Sequence, residues 1–403
     1  MAAEVTVVGG GLAGLVAAIG CAEAGVTVTL HEAHGTLGGR ARATQVPYVA
    51  HTGPHVFYAD GPHWTWLRER KLIPPLGRPP LLTAARLSTF RFNGKLGRRA
   101  PAGLLRMIVE RGRSAPVDQD FHSWASARYG ATAAVAAANA ISVATYDANT
   151  GRLSAAFVWG LFHRVFAPKP PAVRWVVGGW QAVIDRLVER AEQLGVRIEL
   201  RSRVTQVNNQ PTIVATELSS ARALFGDNSL TWTSGDCVLL DVAVPRSGRD
   251  MFLVFDLDEG GFHECYSLQD GTVAPEGEAL FQLDLPRRPG EANADAHRRL
   301  ERLAELAVPE WRSRATWRRA GTARDRTGAL DLPGQTWRDR PAIDRGDGVF
   351  LAGDMVAAPG MRGEISINSA VRAAHGALRL LGKEPVGNDP FSQKPSRPRS
   401  GAI

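Results

Sequence analysis

Gly9, Gly11 and Gly14 follow a β-branched run, Val5 to Val8, and open an Ala-rich stretch that reads as a helix to about Ala24. Glycines at this spacing suit the holding of a dinucleotide. Gly9 allows a tight turn, Gly11 lets the backbone approach a pyrophosphate with no Cβ in the way, and Gly14 lets helix and strand pack closely. The phosphates then face a helix start, where unpaired N–H groups and the positive end of the dipole favour anions. Gly25 closes the helix, Val26 to Leu30 reads as a second strand, and Glu32 stands just past its end. At that distance a carboxylate accepts hydrogen bonds from ribose hydroxyls. A glycine-rich turn alone would say little, but strand, glycines, helix and acid in this order are specific.

Downstream, Gly38-Gly39-Arg40 would bring a second flexible backbone and a guanidinium to the same pyrophosphate. From Gly9 to Arg40 the chain resembles the N-terminal signature of the flavoprotein superfamily that includes flavin amine oxidases, phytoene desaturases and protoporphyrinogen oxidases. A distant second segment, DGVFLAGDMVAAPGMRGEISINSAVRAA from Asp347 to Ala374, resembles that superfamily's C-terminal flavin segment. The resemblance implies non-covalently bound FAD rather than NAD, and no metal. It assigns the cofactor's contacts to Gly9, Gly11, Leu12, Ala13 and Gly14, to Glu32 and Ala33, and to Gly38, Gly39 and Arg40. Further along, Gly353 precedes Asp354, which would hold the ribityl chain and phosphates. A helix starting near Gly363 or Glu364, with Ile365 in its first turn, would point its N-terminus at the flavin pyrimidine ring. Reduced flavin gathers negative charge there, which a helix start stabilises.

The implied fold is α/β: a FAD-binding Rossmann-like domain of glutathione-reductase type with an inserted α+β substrate domain. The expected FAD-binding domain comprises 1–58, 172–240 and 341–383, and the substrate domain 59–171 and 241–340. A Pro-, Ser- and Gly-rich tail, 384–403, is expected to be disordered. Around Trp175 the chain returns to the FAD domain through a Gly-Gly turn, a helix with apolar positions at Val183, Leu187, Val188 and Leu194, and a strand. In the superfamily a valine backbone on such a strand meets the adenine, and Val204 occupies the matching place. Relatives carry a longer hairpin here, whereas Asn208-Asn209-Gln210 turns almost at once into the next segment. Between Leu239 and Trp311, VLLDVAV, MFLVFDL and ALFQLDL alternate as strands, and Leu300, Leu303, Leu306 and Ala307 fall on one helical face. From Thr316 to Ile343 the chain is Arg-rich with little periodicity.

With 403 residues, 44% of them hydrophobic, the length suits two or three domains. No basic-plus-apolar leader precedes the first strand, and no stretch of about 18 apolar residues is free of charge. Cys21, Cys237 and Cys265 are scattered, with neither CxxC nor a His-rich spacing, which fits a reducing cytoplasm and excludes a disulfide redox pair or zinc site. The net charge is +8, and only five of 48 basic residues are lysine. From Asp60 to Arg113 twelve Lys or Arg meet three acids, interleaved with LIPPL, PLLTAARL and AGLLRMIV. This region, 60–113, is either an amphipathic surface resting on anionic lipid or an ordinary solvated face. Nucleic acid is a poor fit, because no recognised binding module accompanies the charge. The oligomeric state is open.

His51 to Tyr58, HTGPHVFY, resembles the segment that passes beside the flavin ring in phytoene-desaturase-like proteins. His55 is therefore a candidate base or hydrogen-bond donor, or else a structural histidine bonded to a backbone carbonyl. Trp124, Phe157, Trp159, Phe162 and Phe166 supply apolar surface for a pocket or for plain core. Flavin amine oxidases keep a lysine in the substrate domain and an aromatic residue before the C-terminal motif's last glycine. Here no lysine occurs between Lys169 and Lys383, and Gly360, Met361 and Arg362 stand at the aromatic place. Arg362, the second catalytic candidate, would repel a cationic amine. The expectation is FAD-dependent dehydrogenation or desaturation of an apolar or weakly polar small molecule, a polyene, terpenoid or other secondary metabolite. The alternatives are redox-neutral isomerisation, amine oxidation, or a lipid-binding relative that has lost its flavin.

Overall fold

The computed structural model describes residues 3–54, 56–166, 172–207, 211–387 and 389. His55, Asn208-Asn209-Gln210 and the tail from Pro390 onward lie outside the described residues. The β-branched strand Glu4–Val8 sits at the centre of a five-stranded parallel sheet, in the order Val349–Leu351, Thr212–Val214, Glu4–Val8, Thr27–Glu32, Arg197–Leu200. Parallel neighbours require crossovers, so this sheet gathers segments from the start, middle and end of the chain. The architecture is α/β. Glu32 is the last residue of its strand rather than a residue beyond it.

Helices cover one face of this sheet. The first, Leu12–Glu23, is buried almost all round, as expected of an apolar helix that lies between sheet and helix rather than at a surface. Val5, Val7, Val28 and Leu30 meet it from the strands, and Ala370, Ala374 and Leu378 belong to the same core from the helix Gly363–Leu380. Small residues set the separations. A Cβ on Gly14 would lie 1.8 Å from the Gly9 carbonyl oxygen, one on Gly376 would lie 2.3 Å from the Phe350 ring, and one on Gly20 would lie 3.3 Å from Ala374 Cβ.

A second, seven-stranded mixed sheet runs Trp317–Ala329, Ser234–Pro245, Glu278–Pro286, Phe262–Cys265, Leu253–Asp256, Ser88–Phe92, Lys95–Gly97. All neighbours are antiparallel except Leu253–Asp256 with Ser88–Phe92. Period-2 alternation divides its faces. Val238, Leu240, Val242, Phe281, Leu283 and Leu285 pack on the helix Asn293–Ala307 through Leu300, Leu303 and Ala307. Leu239, Asp241, Gln282 and Asp284 take the opposite face. The boundary expected at 240 falls inside the strand Ser234–Pro245, which belongs wholly to this sheet.

The stretch expected to lack periodicity contains the longest strand, Trp317–Ala329, paired along its length with Ser234–Pro245. As an edge strand it leaves one side unpaired, and arginines alternate with small residues there, so no run of large apolar side chains marks it in the sequence. A helical lobe completes the molecule: Phe121–Tyr129, capped by the Asp120 carboxylate on the Ser123 N–H at 2.8 Å, then Ala131–Thr145 and Ala155–Phe166. Trp124 and Trp159 meet edge to face at 4.9 Å in its core. Among the described residues no helix is long and apolar enough to cross a membrane.

Because the atom facing Gly14 is backbone, no rotamer change relieves a clash there. Gly14→Ala is expected to lower stability by roughly 1–3 kcal/mol, read as a lower urea midpoint with an unchanged slope. A variant as stable as the parent would show that strand and helix separate freely at this point.

Candidate functional site

The first glycine loop is built as its spacing implied. Gly9 takes φ +105° and donates its N–H to the His31 carbonyl at 2.7 Å. Gly11 begins the helix Leu12–Glu23 with no side-chain cap, and a Cβ there would meet no heavy atom within 4 Å. An uncapped helix start facing open space leaves first-turn N–H groups, those of Leu12, Ala13 and Gly14, available to an anion. Glu32 is buried at the end of its strand, its Oε2 accepting from the Gly10 N–H at 2.7 Å and its Oε1 from the His34 N–H at 2.8 Å. These bonds fix the carboxylate, with Ala33 beside it, and leave acceptor capacity on both oxygens.

The second glycine loop docks on the first. Gly38 donates to the Gly10 carbonyl at 2.8 Å, Gly38 and Gly39 take φ +100° and +53°, and a short 3-10 turn, Gly39–Ala41, aims Arg40. Its guanidinium grips Asp354 with two hydrogen bonds, Nη1 to Oδ2 at 2.7 Å and Nη2 to Oδ1 at 2.8 Å, and Nη1 also donates to the Arg326 carbonyl. The two motifs thus converge. Asp354 follows Gly353, whose N–H donates to Ser369 Oγ at 3.0 Å.

The helix Gly363–Leu380 begins where the resemblance implied. At its start the Glu364 side chain accepts from the Met361 N–H at 3.0 Å and from Arg164 at 2.7 Å. The Glu364 N–H is itself donated to the Met361 carbonyl, so Glu364 is committed to its own loop, while Gly363 and Ile365 stay at the helix start. The strand Arg197–Leu200 stops at Arg201, which takes φ +54°, and Val204 follows in irregular chain, lining a cleft of about 330 Å³ with Ser202, His31 and Thr6.

Trp180 is a participant that motif reading missed. Gly178 and Gly179 turn the chain through φ +76° and +60°, and the Trp180 ring then lies against the start of the last helix, where a Cβ on Gly363 would be 2.8 Å from it and 3.4 Å from Leu12 of the first helix. Trp180 also packs on Phe57, centroids 3.8 Å apart, and donates to the Pro54 carbonyl at 3.3 Å. The Gly-Gly-Trp sequence ahead of an amphipathic helix is the signal that would have found it.

Opposite the helix starts stands the polar face of the seven-stranded sheet. Glu264, Gln282, Asp241 and Arg319 occupy matched positions on four adjacent strands and form one cross-sheet row. Gln282 donates to Asp241 at 2.8 Å, and both Gln282 and Arg319 donate to the His51 carbonyl, at 2.7 and 2.6 Å. The row therefore anchors the His51–Tyr58 segment. Burial pushes the Asp241 carboxyl up to about 6 and the Glu264 carboxyl up to about 7, while Trp175 and Gln269 donate to Glu264 Oε1 at 2.7 and 3.0 Å. Burial holds His51 neutral, its pKa lowered to about 3.

Arg362 caps the last helix at φ +48°, lays its guanidinium 4.1 Å above the Tyr146 ring, and donates to the Val143 carbonyl at 2.8 Å. Tyr146 reaches Asp284 Oδ2 at 3.4 Å, and burial pushes the Asp284 carboxyl well above the usual carboxylate range. Met361 packs on the aromatic cluster of the helical lobe, with Phe166 and Phe255. His55 lies outside the described residues, between Pro54 and Val56 of the same segment. A flavin dinucleotide fits what is present: an uncapped helix start over open space, a fixed carboxylate at the strand end, and a second helix start at the end of the cradle.

Comparison with known proteins agrees. Residues 7–69 match the model of the NAD(P)-binding Rossmann-like domain, and residues 107–229 that of the flavin containing amine oxidoreductases. No curated protein sequence matches. Among solved structures, an oxidoreductase from Methanosarcina mazei is similar at TM-score 0.71 and 15% identity, over 94% of this chain and 100% of that one. Cyclohexylamine oxidase from Brevibacterium oxydans is similar at 0.68 and 14%, over 95% and 100%. Reduced UDP-galactopyranose mutase is similar at 0.68 and 11%, over 94% and 96%. At these identities the structures speak for the fold alone, and the matched models support the FAD-dependent amine oxidase superfamily, to whose flavin containing amine oxidoreductases residues 107–229 are similar.

Proposed function

We propose that this chain binds FAD non-covalently and dehydrogenates or desaturates an apolar or weakly polar small molecule of the polyene or terpenoid kind. The observation that carries the reading is the pair Met361 and Arg362 at the start of the last helix. Met361 belongs to the aromatic cluster of Phe166, Phe255 and Trp159, so the chain beside the flavin helix is apolar. Arg362 brings a fixed positive charge to the position where amine-oxidising relatives carry an aromatic ring. At about 4 Å a pair of like charges costs on the order of 4 kcal/mol near a protein surface, which disfavours a cationic amine. The seven-stranded sheet contributes no lysine except Lys95, on its far edge strand.

Flavin, held by these residues, would supply a hydride acceptor. The chain's own part is to hold and surround. Glu32 and the two glycine loops bind the adenosine and pyrophosphate, and the last helix start with Arg362 offers positive potential at the pyrimidine end. The aromatic cluster orients an apolar substrate and excludes water. Loss of a hydride from one carbon and of a proton from its neighbour leaves the new double bond, and His55 is the candidate to take the proton. Molecular oxygen or a quinone would reoxidise the flavin. The likeness to a mutase supports redox-neutral isomerisation as a second reading, distinguished by turnover that needs reductant only in catalytic amount.

The purified protein is expected to show the two visible absorption bands of oxidised flavin and to release FAD on denaturation. Arg40→Ala should weaken FAD binding roughly ten- to a hundredfold, since it removes charge-assisted bonds and leaves Asp354 unpaired; a colourless parent that takes up no FAD sinks the reading. Anaerobic mixing should bleach the flavin with polyenes or terpenoids and leave it oxidised with primary amines. Faster bleaching by amines would overturn the substrate class. The Glu264 carboxyl, near 4.5 when unfolded and about 7 in the fold, binds its proton more tightly in the native state. Its stabilisation is thus full below about 4.5 and is lost as pH rises through about 7. Glu264→Gln should remove that decline, so denaturation midpoints of parent and variant should diverge in the variant's favour between these limits, and parallel curves would contradict it.

A further inference from the structure

We infer that the two helices Leu81–Leu87 and Ala102–Val109 form a docking surface for an anionic lipid bilayer. Leu81 and Leu82 are 83% and 89% exposed, and Leu105 and Val109 are 58% and 74% exposed. In the first helix, Ala84 and Leu87 pack inward while Leu81, Leu82, Ala85 and Arg86 face out. In the second, Leu104 and Met107 are buried while Leu105, Arg106 and Val109 face out. A single exposed leucine is ordinary. Two helices in one stretch of chain, each presenting large aliphatic residues beside arginine, repeat the pattern of an interfacial helix.

Charge selects the occupant. From Leu76 to Arg113 the chain carries nine Lys or Arg and a single acid, Glu110. That acid is engaged by Arg106 at 2.7 Å, Arg113 at 3.0 Å and the Tyr129 hydroxyl at 2.9 Å. Among the described residues, Arg78, Arg86, Lys95, Arg98 and Arg99 form no ion pair, and Arg98 is drawn to the end of the first helix by its bond to the Ala85 carbonyl at 2.8 Å. Uncompensated cations around exposed aliphatic side chains complement lipid phosphates over acyl chains. The second helix also links this surface to the site, because Leu104 and Met107 share the aromatic cluster with Met361. An apolar molecule leaving the bilayer at Leu105 would meet the same lobe that borders the flavin helix. The inference rests on exposure and charge and holds whatever the substrate proves to be.

The test is co-sedimentation of the full-length holoprotein with phosphatidylcholine vesicles, with and without phosphatidylglycerol. Binding is expected only to the anionic vesicles and should fall as salt rises. The double variant Leu81→Gln/Leu82→Gln should bind about tenfold more weakly with an unchanged melting temperature, and Arg78→Glu/Arg86→Glu should do the same by removing charge. No binding to anionic vesicles at low salt would overturn the inference, as would binding indifferent to both variants. A leucine variant that instead converts a dimer to a monomer in light scattering would assign the face to a second copy of the chain and overturn it equally.

Discussion

The Arg40 guanidinium and the Asp354 carboxylate, 314 residues apart, close on each other through two parallel hydrogen bonds. The buried Asp354 carboxylate, left alone, would be costly and would repel an anionic ligand. Paired, they present a neutral rim with N–H groups still facing outward. The pair also ties the loop after the first two strands to the loop after the last, so both helix starts are held in one frame. The parallel sheet makes this possible, since strand ends carrying Gly9, Glu32 and Gly353 all emerge on the same side of a sheet whose strands run one way.

A second charge pair performs the same task for the lobes. Arg164, from the helix Ala155–Phe166, holds Glu364 at 2.7 Å and Asp60 through a further ion pair, and lies 4.4 Å over the Tyr58 ring. Glu364 alone would cancel the positive end of the last helix; with Arg164 bound, the helix start keeps its field. The helical lobe is thereby fastened to the last helix by electrostatics, and to the seven-stranded sheet by Asn139, whose amide donates to the Leu257 carbonyl at 2.9 Å.

Legibility followed the range of the interactions. Gly9, Gly11, Gly14, Glu32 and Gly38 to Arg40 could be read because their roles are local: positive φ, close approach and a strand end are properties of a few residues. The last helix was legible from the resemblance of its segment, and the second sheet's alternating strands from periodicity. The edge strand Trp317–Ala329 was not, because arginines and small residues stand on both of its faces and its partner supplies the register. The partner of Glu364 was not legible, because its place in a first turn is local while Arg164 comes from 200 residues earlier. Where the strand before Val204 ends was hidden for the converse reason: a single residue, Arg201 at positive φ, stops it.

Arg362 shows how such a residue is retained at a strained position. Its φ of +48° with ψ of −113° is one glycine would adopt more easily, and the cost for another residue is of order 1–3 kcal/mol. Against this stand a cation over the Tyr146 ring, worth about 0.5–2 kcal/mol, and a charged hydrogen bond to Val143, worth about 1.5–3 kcal/mol. Val143 lies in the last turn of the helix Ala131–Thr145, where the dipole favours a cation. The side chain therefore holds the backbone in place. Its charge adds to the positive start of the last helix, and burial pushes the neighbouring Asp284 carboxyl up, toward its neutral form. An environment of that sign favours negative charge on whatever occupies the cradle's far end, which is what a reduced flavin carries and a cationic amine does not.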